Sequence, residues 1–361
     1  MPRALLALAG LLTVTPVTGG AQGAIASRVT QVRDGVVRME YETRAGVCGD
    51  GRDNIGFRHA YFGGSFESWG GWSDKRCVPG DARVTLSIDG GEITRVRTQV
   101  GGTWPVTDAR VTDLGTVSPH EAAAYFLSIV PALESESRSA RTIFPAVIAD
   151  DDAVIAPLTR LANDSQRTID TRRQSVHWLG LLGDKSVVPT LVGLARQGSE
   201  GESEKRSLRS AATFALAFLD AGAGVAPLLE LSHDASPSLR KATVSALAET
   251  DDPRAFRRLR QMLDDTNEPG DLRKDALFWL GQRASYATAD IVAFYRATDD
   301  AGLREHAIFV LSQRQDDAAV DALIRIAKED GDKRMRGKAL FWLAQKQDPR
   351  VMKLISDILA R

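Results

Sequence analysis

Five histidines and two cysteines carry most of the metal or acid–base chemistry this 361-residue chain could do. A histidine beside a carboxylate is raw material for a metal site or a proton-transfer pair, and it occurs at Glu305-His306 and His120-Glu121. The others, His59, His177 and His233, are scattered. There is no His-Glu-x-x-His helix, no Gly-x-Ser-x-Gly elbow and no phosphate-cradling glycine loop before a helix. The stretch Cys48-Gly49-Asp50-Gly51-Arg52-Asp53-Asn54 is acidic like a calcium loop, but it lacks the alternating ligand spacing, and Arg52 intrudes. Cys48 and Cys77 are too few for a zinc site, and no Cys-x-x-Cys is present. His120-Glu121 has a structural use, because Ser118-Pro119-His120-Glu121 reads as a capping box opening a helix to about Val130. No catalytic, cofactor-binding or metal-ligating residue is assigned, and the chain is expected not to be an enzyme.

The cysteines take their meaning from the N-terminus. Arg3, the apolar run Ala4–Val14 and the small residues Gly19, Gly20 and Ala21 read as a secretory signal peptide over 1–21. That run is too short to span a bilayer and Pro16 closes it, so no membrane insertion is expected after cleavage. A periplasmic or extracellular address follows, and with it a Cys48–Cys77 disulfide. Between the cysteines, Phe57, His59, Tyr61, Phe62, Phe66, Trp69 and Trp72 alternate with glycines. Such a loop either presents a flat contact surface to a glycan or peptide or forms the core of a small domain. Tyr61, Phe62, Trp69 and Trp72 are its candidate contacts.

The elements around these residues change period along the chain. Val37, Met39, Tyr41 and Thr43 alternate with polar residues, as do Val84, Leu86 and Ile88 before Asp89-Gly90-Gly91, which predicts a hairpin running on through Glu92–Val100. A three-residue turn would set Val84 opposite Val96, whereas a two-residue turn would shift the register. Beyond residue 136 the period becomes helical and a phrase recurs. An arginine is followed seven residues later by leucine at Arg172/Leu179, Arg209/Leu216, Arg240/Leu247, Arg273/Leu280, Arg304/Leu311 and Arg336/Leu343. A small residue always stands fourth: Ser175, Ala212, Thr243, Ala276, Ala307, Ala339. The arginines lie 31 to 37 residues apart, the period of stacked helix pairs. A degenerate first unit is read at Arg141–Ile148 followed by Val154–Ala162, and Val351–Leu359 reads as a terminal cap.

Segments such as Arg172–Ala195 resemble HEAT repeats, of the short type found in bilin lyases and deoxyhypusine hydroxylase. The resemblance covers about two-thirds of the chain and implies a mainly α fold: a right-handed HEAT-like α-solenoid of about seven helix pairs, preceded by a small disulfide-stapled β module. The expected divisions are signal peptide 1–21, β module 22–117, connecting helix 118–135 and solenoid 136–361. In deoxyhypusine hydroxylase, His-Glu pairs near the start of first helices hold iron. The matching positions here are Arg173/Gln174, Ser210/Ala211, Lys241/Ala242, Lys274/Asp275, Glu305/His306 and Gly337/Lys338. Only Glu305/His306 has both residue types, in reversed order, so no cofactor is expected. No motif specific to a bilin lyase is present.

Charge is balanced, at 46 basic against 47 acidic residues, which argues against nucleic-acid binding. A column of Phe214, Phe278, Phe309 and Phe341, with Trp178, Trp279 and Trp342 beside it, reads either as packing between adjacent first helices or as a docking stripe. Arg257, Arg258 and Arg260 crowd one second helix on the expected concave wall and read either as a charge run that stays solvated or as a site for an acidic protein segment as partner. The functional expectation is an exported scaffold for protein or peptide partners. The alternative is a cell-envelope enzyme or accessory lyase.

Overall fold

The structure, a computed structural model, describes residues 22–58, 60–62, 77–134, 138–197, 207–346, 348 and 350–352. Residues 1–21, read from the sequence as a signal peptide, and residues 63–76, with Phe66, Trp69 and Trp72, lie outside the described residues. The chain forms two compact units, Met1–Val154 and Ile155–Arg361.

In the first unit a four-stranded sheet has the order β6-β5-β1-β7, with β1 Gly35–Tyr41, β5 Ala82–Asp89, β6 Glu92–Val100 and β7 Val111–Thr116. The hairpin forms as expected, and its register settles the open choice. Asp89 pairs with Glu92 across the two-residue turn Gly90-Gly91, both at positive φ, and Val84 lies opposite Thr98. β1 runs antiparallel to β5 and parallel to β7. Its alternate residues Val37, Met39 and Tyr41 are fully buried with Val84 and Leu86 of β5. Three short strands, β2 Val47–Gly49, β3 Ile55–Phe57 and β4 Ala60–Phe62, make a second sheet, and Cys48 is disulfide-bonded to Cys77.

Helix α1 (Gln22–Thr30) and two further helices, α2 (Pro119–Ile129) and α3 (Arg138–Ile148), belong to this unit. The capping box forms at Ser118–Glu121. The expectation started the solenoid at residue 136, but the units divide after Val154. The reason lies in bonds that the helical pattern of α3 does not reveal. Tyr41 donates to the Pro145 carbonyl at 2.7 Å, and Arg44 reaches the carbonyls of Val147 at 2.6 Å and Asp151 at 2.8 Å. These tie the end of α3 to the chain leaving β1.

The second unit begins with α4 (Ile155–Asn163) and continues in pairs: α5 (Ile169–Leu182) with α6 (Val188–Gln197), α7 (Leu208–Ala217) with α8 (Val225–Leu231), and α9 (Pro237–Glu249) with α10 (Pro253–Asp264). Then come α11 (Gly270–Gly281) with α12 (Thr288–Ala297), α13 (Ala301–Gln313) with α14 (Asp317–Glu329), and α15 (Lys333–Ala344). First helices touch in succession from α5 to α15, and second helices pack on one another from α6 to α10 and from α12 to α14. The six fourth-place small residues and the six leucines of the recurring phrase are all buried, as stacking of the pairs requires.

Five of the six recurrent arginines are caps, whereas Arg304 bonds the Asp330 carboxylate and the Tyr295 hydroxyl. Arg172 donates to the Ala162 carbonyl at 3.0 Å, Arg209 to Ala195 at 3.1 Å and Arg273 to Leu263 at 2.8 Å, each at the end of the preceding second helix. Arg240 and Arg336 do the same just past α8 and α14, through Asp234 and Asp330 carbonyls. The guanidinium supplies donors to carbonyls that the helix leaves unpaired and places positive charge at the negative end of its dipole. Arg209 is the most enclosed of them at 5% exposure and also bonds Ser236. Arg209→Met should therefore cost about 2–3 kcal/mol in urea unfolding, because it strands a buried carbonyl. A change within experimental error would show that the cap is dispensable.

His177 of α5 packs edge-on against Trp178 at 5.2 Å. Desolvation, aided by the Arg173 charge, pushes its pKa from 6.5 down to about 4. The unfolded chain then binds a proton that the folded chain refuses, so stability is full above pH 6.5 and falls as pH drops toward 4. His233 and His306 shift in the same direction. His177→Phe should remove part of the decline in urea midpoint between pH 7 and pH 4.5. An unchanged decline would exclude His177 as its source.

Candidate partner-binding surface

The crowded arginines of α10 have three different fates. Arg258 turns inward: its Nε and Nη2 donate to the Ser232 hydroxyl at 2.8 Å and carbonyl at 2.7 Å, capping α8, and burial lowers its pKa. Arg260 lies over the Tyr286 ring at 5.6 Å and 4.0 Å from Asp290 of α12. Arg257 alone is exposed with no hydrogen-bond or ion-pair partner among the described residues. The three therefore do not form one patch, because successive helical positions point toward different neighbours.

The structure adds two cations that the sequence reading missed. Arg296 of α12 and Arg325 of α14 are exposed, lack a partner among the described residues, and line a cleft of about 420 Å³ between those helices. Its floor is a closed triad. Asp330 accepts from the Tyr295 hydroxyl at 2.6 Å and from Arg304 Nη2 at 2.6 Å, and the Arg304 guanidinium sits 4.8 Å from the Tyr295 ring centroid. Burial raises the Tyr295 pKa and the bond to Asp330 adds to it. For Asp330, burial opposes ionisation but is outweighed by the bonds from Tyr295, the Asp332 amide and Arg304, so its pKa falls. Asp299 and Glu329 complete the rim as acids. The signal that would have found Arg296 and Arg325 is their common place, more than two turns into equivalent second helices. It shows only once the second helices are aligned by the arginine period.

The aromatic residues divide. Tyr61 and Phe62 lie in β4, opposite Gly56 and Ile55, while Trp69 and Trp72 fall outside the described residues. From α11 to α15 the phenylalanine column packs between first helices, with Phe278 stacked on Phe309 at 6.3 Å and Phe309 meeting Trp342 at 5.3 Å, whereas Phe214 meets Phe218 of its own repeat at 4.8 Å. The column emerges at Phe341 of α15, 58% exposed.

Several of the positions that matched iron ligands are engaged in ion pairs. Lys338 bonds Glu305 at 2.5 Å, and Lys241 lies 3.1 Å from Asp271 and 3.6 Å from Asp275. The His306 ring rests 5.6 Å from Phe309. Asp50 accepts from the Arg52 amide and from Asn54 inside its own loop, and Asp53 pairs with Arg97. Among the described residues no three His, Cys, Asp or Glu side chains gather as metal ligands.

Residues 200–277 match the family described as HEAT repeats. The helix pairs stack in a HEAT-like arrangement, and the match covers α7 to α10 and most of α11. Solved structures with likeness to this chain include the complex of CpcE and CpcF of phycocyanin lyase from Nostoc sp. PCC7120, at 19% identity over 44% of this chain and 97% of that one, with a TM-score of 0.33. Human deoxyhypusine hydroxylase shows 18% identity over 62% of this chain and 84% of that one, with a TM-score of 0.28. A Kap121p mutant shows 11% identity over 63% and 31%, with a TM-score of 0.40. At these identities the likeness concerns helical architecture alone. No curated protein matches the sequence.

Proposed function

We propose that the chain is an exported, non-catalytic scaffold whose HEAT repeats hold a protein segment bearing spaced carboxylates. The observation that carries this reading is the contrast between two sets of arginines. Those of the recurring phrase are consumed in capping and inter-repeat bonds, whereas Arg257, Arg296 and Arg325 stand on three successive second helices with no partner among the described residues. Exposed guanidinium groups on a stacked array suit bidentate recognition of carboxylates. Asp299 and Glu329 on the cleft rim would repel a continuous acidic run, so the partner's acids alternate with neutral residues. The period-wide surface favours this over an enzymatic reading, since the histidines and acids at the candidate ligand positions are engaged with neighbours.

The test combines a pull-down from the envelope fraction with a charge-reversed variant, Arg257→Glu, Arg296→Glu and Arg325→Glu together. A protein captured by the mature chain and lost by the variant supports the proposal. Capture that survives charge reversal refutes this surface. A stoichiometric transition metal in the purified protein would instead favour the enzyme reading, and retention of residues 1–21 in a cytoplasmic chain would refute export.

A further inference from the structure

The outer face of the four-stranded sheet is basic, and the reason lies in one bulge. Ser87 pairs with Arg95 while Ile88 pairs with Ile93, so Thr94 is the extra residue in β6. An unbroken strand would put Ile93 on the same face as Arg95 and Arg97. The bulge returns Ile93 to the side of Ile88 and leaves both arginines facing outward. Across the sheet, Arg97, Thr85, Arg38 and Asp113 form one row, and Arg95, Ser87, Val36 and Val111 the next.

The segment between β6 and β7 crosses this face and places Trp104 over it. The indole is held by two cations, Arg38 at 5.0 Å and Arg83 at 5.8 Å from the ring centroid. Beneath lies a cleft of about 180 Å³, with Trp104, Pro105 and Val106 as an apolar wall opposite the arginine rows. The polar side is incompletely satisfied. Arg38 gives Nε and Nη2 to Asp113, and Arg97 gives Nε and Nη2 to Asp53. Arg83 is taken by Glu40. Arg95 has no partner among the described residues, and neither do the half-buried hydroxyls of Thr85 and Ser87. Thr107 Oγ1 accepts from the Ala109 amide and keeps its proton to donate. Four arginines against Glu40, Asp53 and Asp113 leave one positive charge over, and Arg95 carries it.

We propose that this cleft binds a single acidic sugar unit, a pyranose ring bearing a carboxylate. Arg95 takes the carboxylate, Thr85, Ser87 and Thr107 take ring hydroxyls, and the Trp104 wall covers an apolar face of the ring. Size decides between this and an acidic peptide. The cleft is smaller than the ~300–1,000 Å³ of drug-sized sites, which suits one ring and not an extended chain. The hydroxyl side chains fit the same choice, because a sugar both donates to and accepts from them whereas a carboxylate side chain only accepts. This site stands on the first unit alone and is independent of the arginines on the second helices.

Calorimetric titration of the purified full chain with sodium glucuronate, glucose, inorganic phosphate and hexaglutamate tests it. Glucuronate should bind saturably and glucose about tenfold more weakly or worse. Arg95→Gln should lower glucuronate affinity about tenfold, the worth of one charge-assisted bond, with an unchanged thermal midpoint. Ser87→Ala should give a smaller loss. No saturable binding of glucuronate, or equal affinity in Arg95→Gln, overturns the proposal. Phosphate or hexaglutamate binding as tightly as glucuronate overturns the sugar assignment, in favour of a simple oxyanion site or a peptide site respectively.

Discussion

Reduction of Cys48–Cys77 should destabilise the first unit by about 3–4 kcal/mol while the helical signal of the second unit persists. The bond joins residues separated by 29 positions, and in the chain-entropy model a loop of that size gives this magnitude. The local structure explains why little else would compensate. β2 and β3 are three-residue strands, and the chain returning to β5 is fixed beside Cys77 by the pairing of Gly49 with Val78. A Cβ on Gly49 would come 2.6 Å from the Val100 carbonyl, so β2 is seated tightly against the end of β6. Without the bond, that seating must be held by a few strand hydrogen bonds. The second unit contains no cysteine and holds itself by repeat-to-repeat contacts. Urea unfolding of the native protein and of Cys48→Ser/Cys77→Ser, followed by amide hydrogen exchange of β1, β5 and β6 and by 222 nm circular dichroism, checks this. The exchange transition of those strands should move to lower urea while the main helical transition stays. Coincident loss of both would show that the units unfold as one. Two freely labelled thiols in protein purified under oxidising conditions would contradict the disulfide.

What could be read from the sequence follows the range of each interaction. The Arg–small–Leu phrase could be read because each repeat meets the same neighbours and must solve the same packing problem. Ala276, Leu277 and Leu280 are accordingly fully buried, as their helical phase requires. The capping box at Ser118 could be read because all its partners lie within one turn. The assignment of α3 could not, since its amphipathic pattern suits a solenoid helix equally well. Its place depends on Tyr41 and Arg44, which lie about a hundred positions earlier in the chain. Parallel pairing of β1 with β7 is equally non-local, with Val36 opposite Val111. The bulge at Thr94 leaves no local mark, yet it decides which face Arg95 occupies. For the same reason Arg257 and Arg258 look alike in sequence, although one is exposed and the other caps α8.

The sharpest test of the stacking contrasts two glycines. Gly180 and Gly281 directly follow the leucine of their repeats, one position past the reach of the recurring phrase. A Cβ on Gly180 would lie 2.7 Å from the Cα and 2.9 Å from the carbonyl oxygen of Ala215, so α5 and α7 touch backbone to backbone there. Backbone cannot swing aside as a flexible side chain can, and a larger residue must push the two repeats apart. Gly180→Leu should therefore destabilise the second unit by about 3 kcal/mol or more, at the upper end of overpacking costs. Ala276→Leu, at the fourth place of another repeat, should cost about 1–3 kcal/mol by the same mechanism. Gly337 provides the opposite case. It lies inside α15, and a Cβ there would meet nothing within 4 Å. Gly337→Ala should stabilise by about 0.5–1 kcal/mol, because it restricts the unfolded chain and adds helix propensity without a clash. Opposite signs in urea midpoints would locate the tight joint at the residue after the leucine. Destabilisation by both changes would mean that α15 tolerates no side chain at Gly337, and neutrality of Gly180→Leu would mean that α5 and α7 stand further apart than backbone contact.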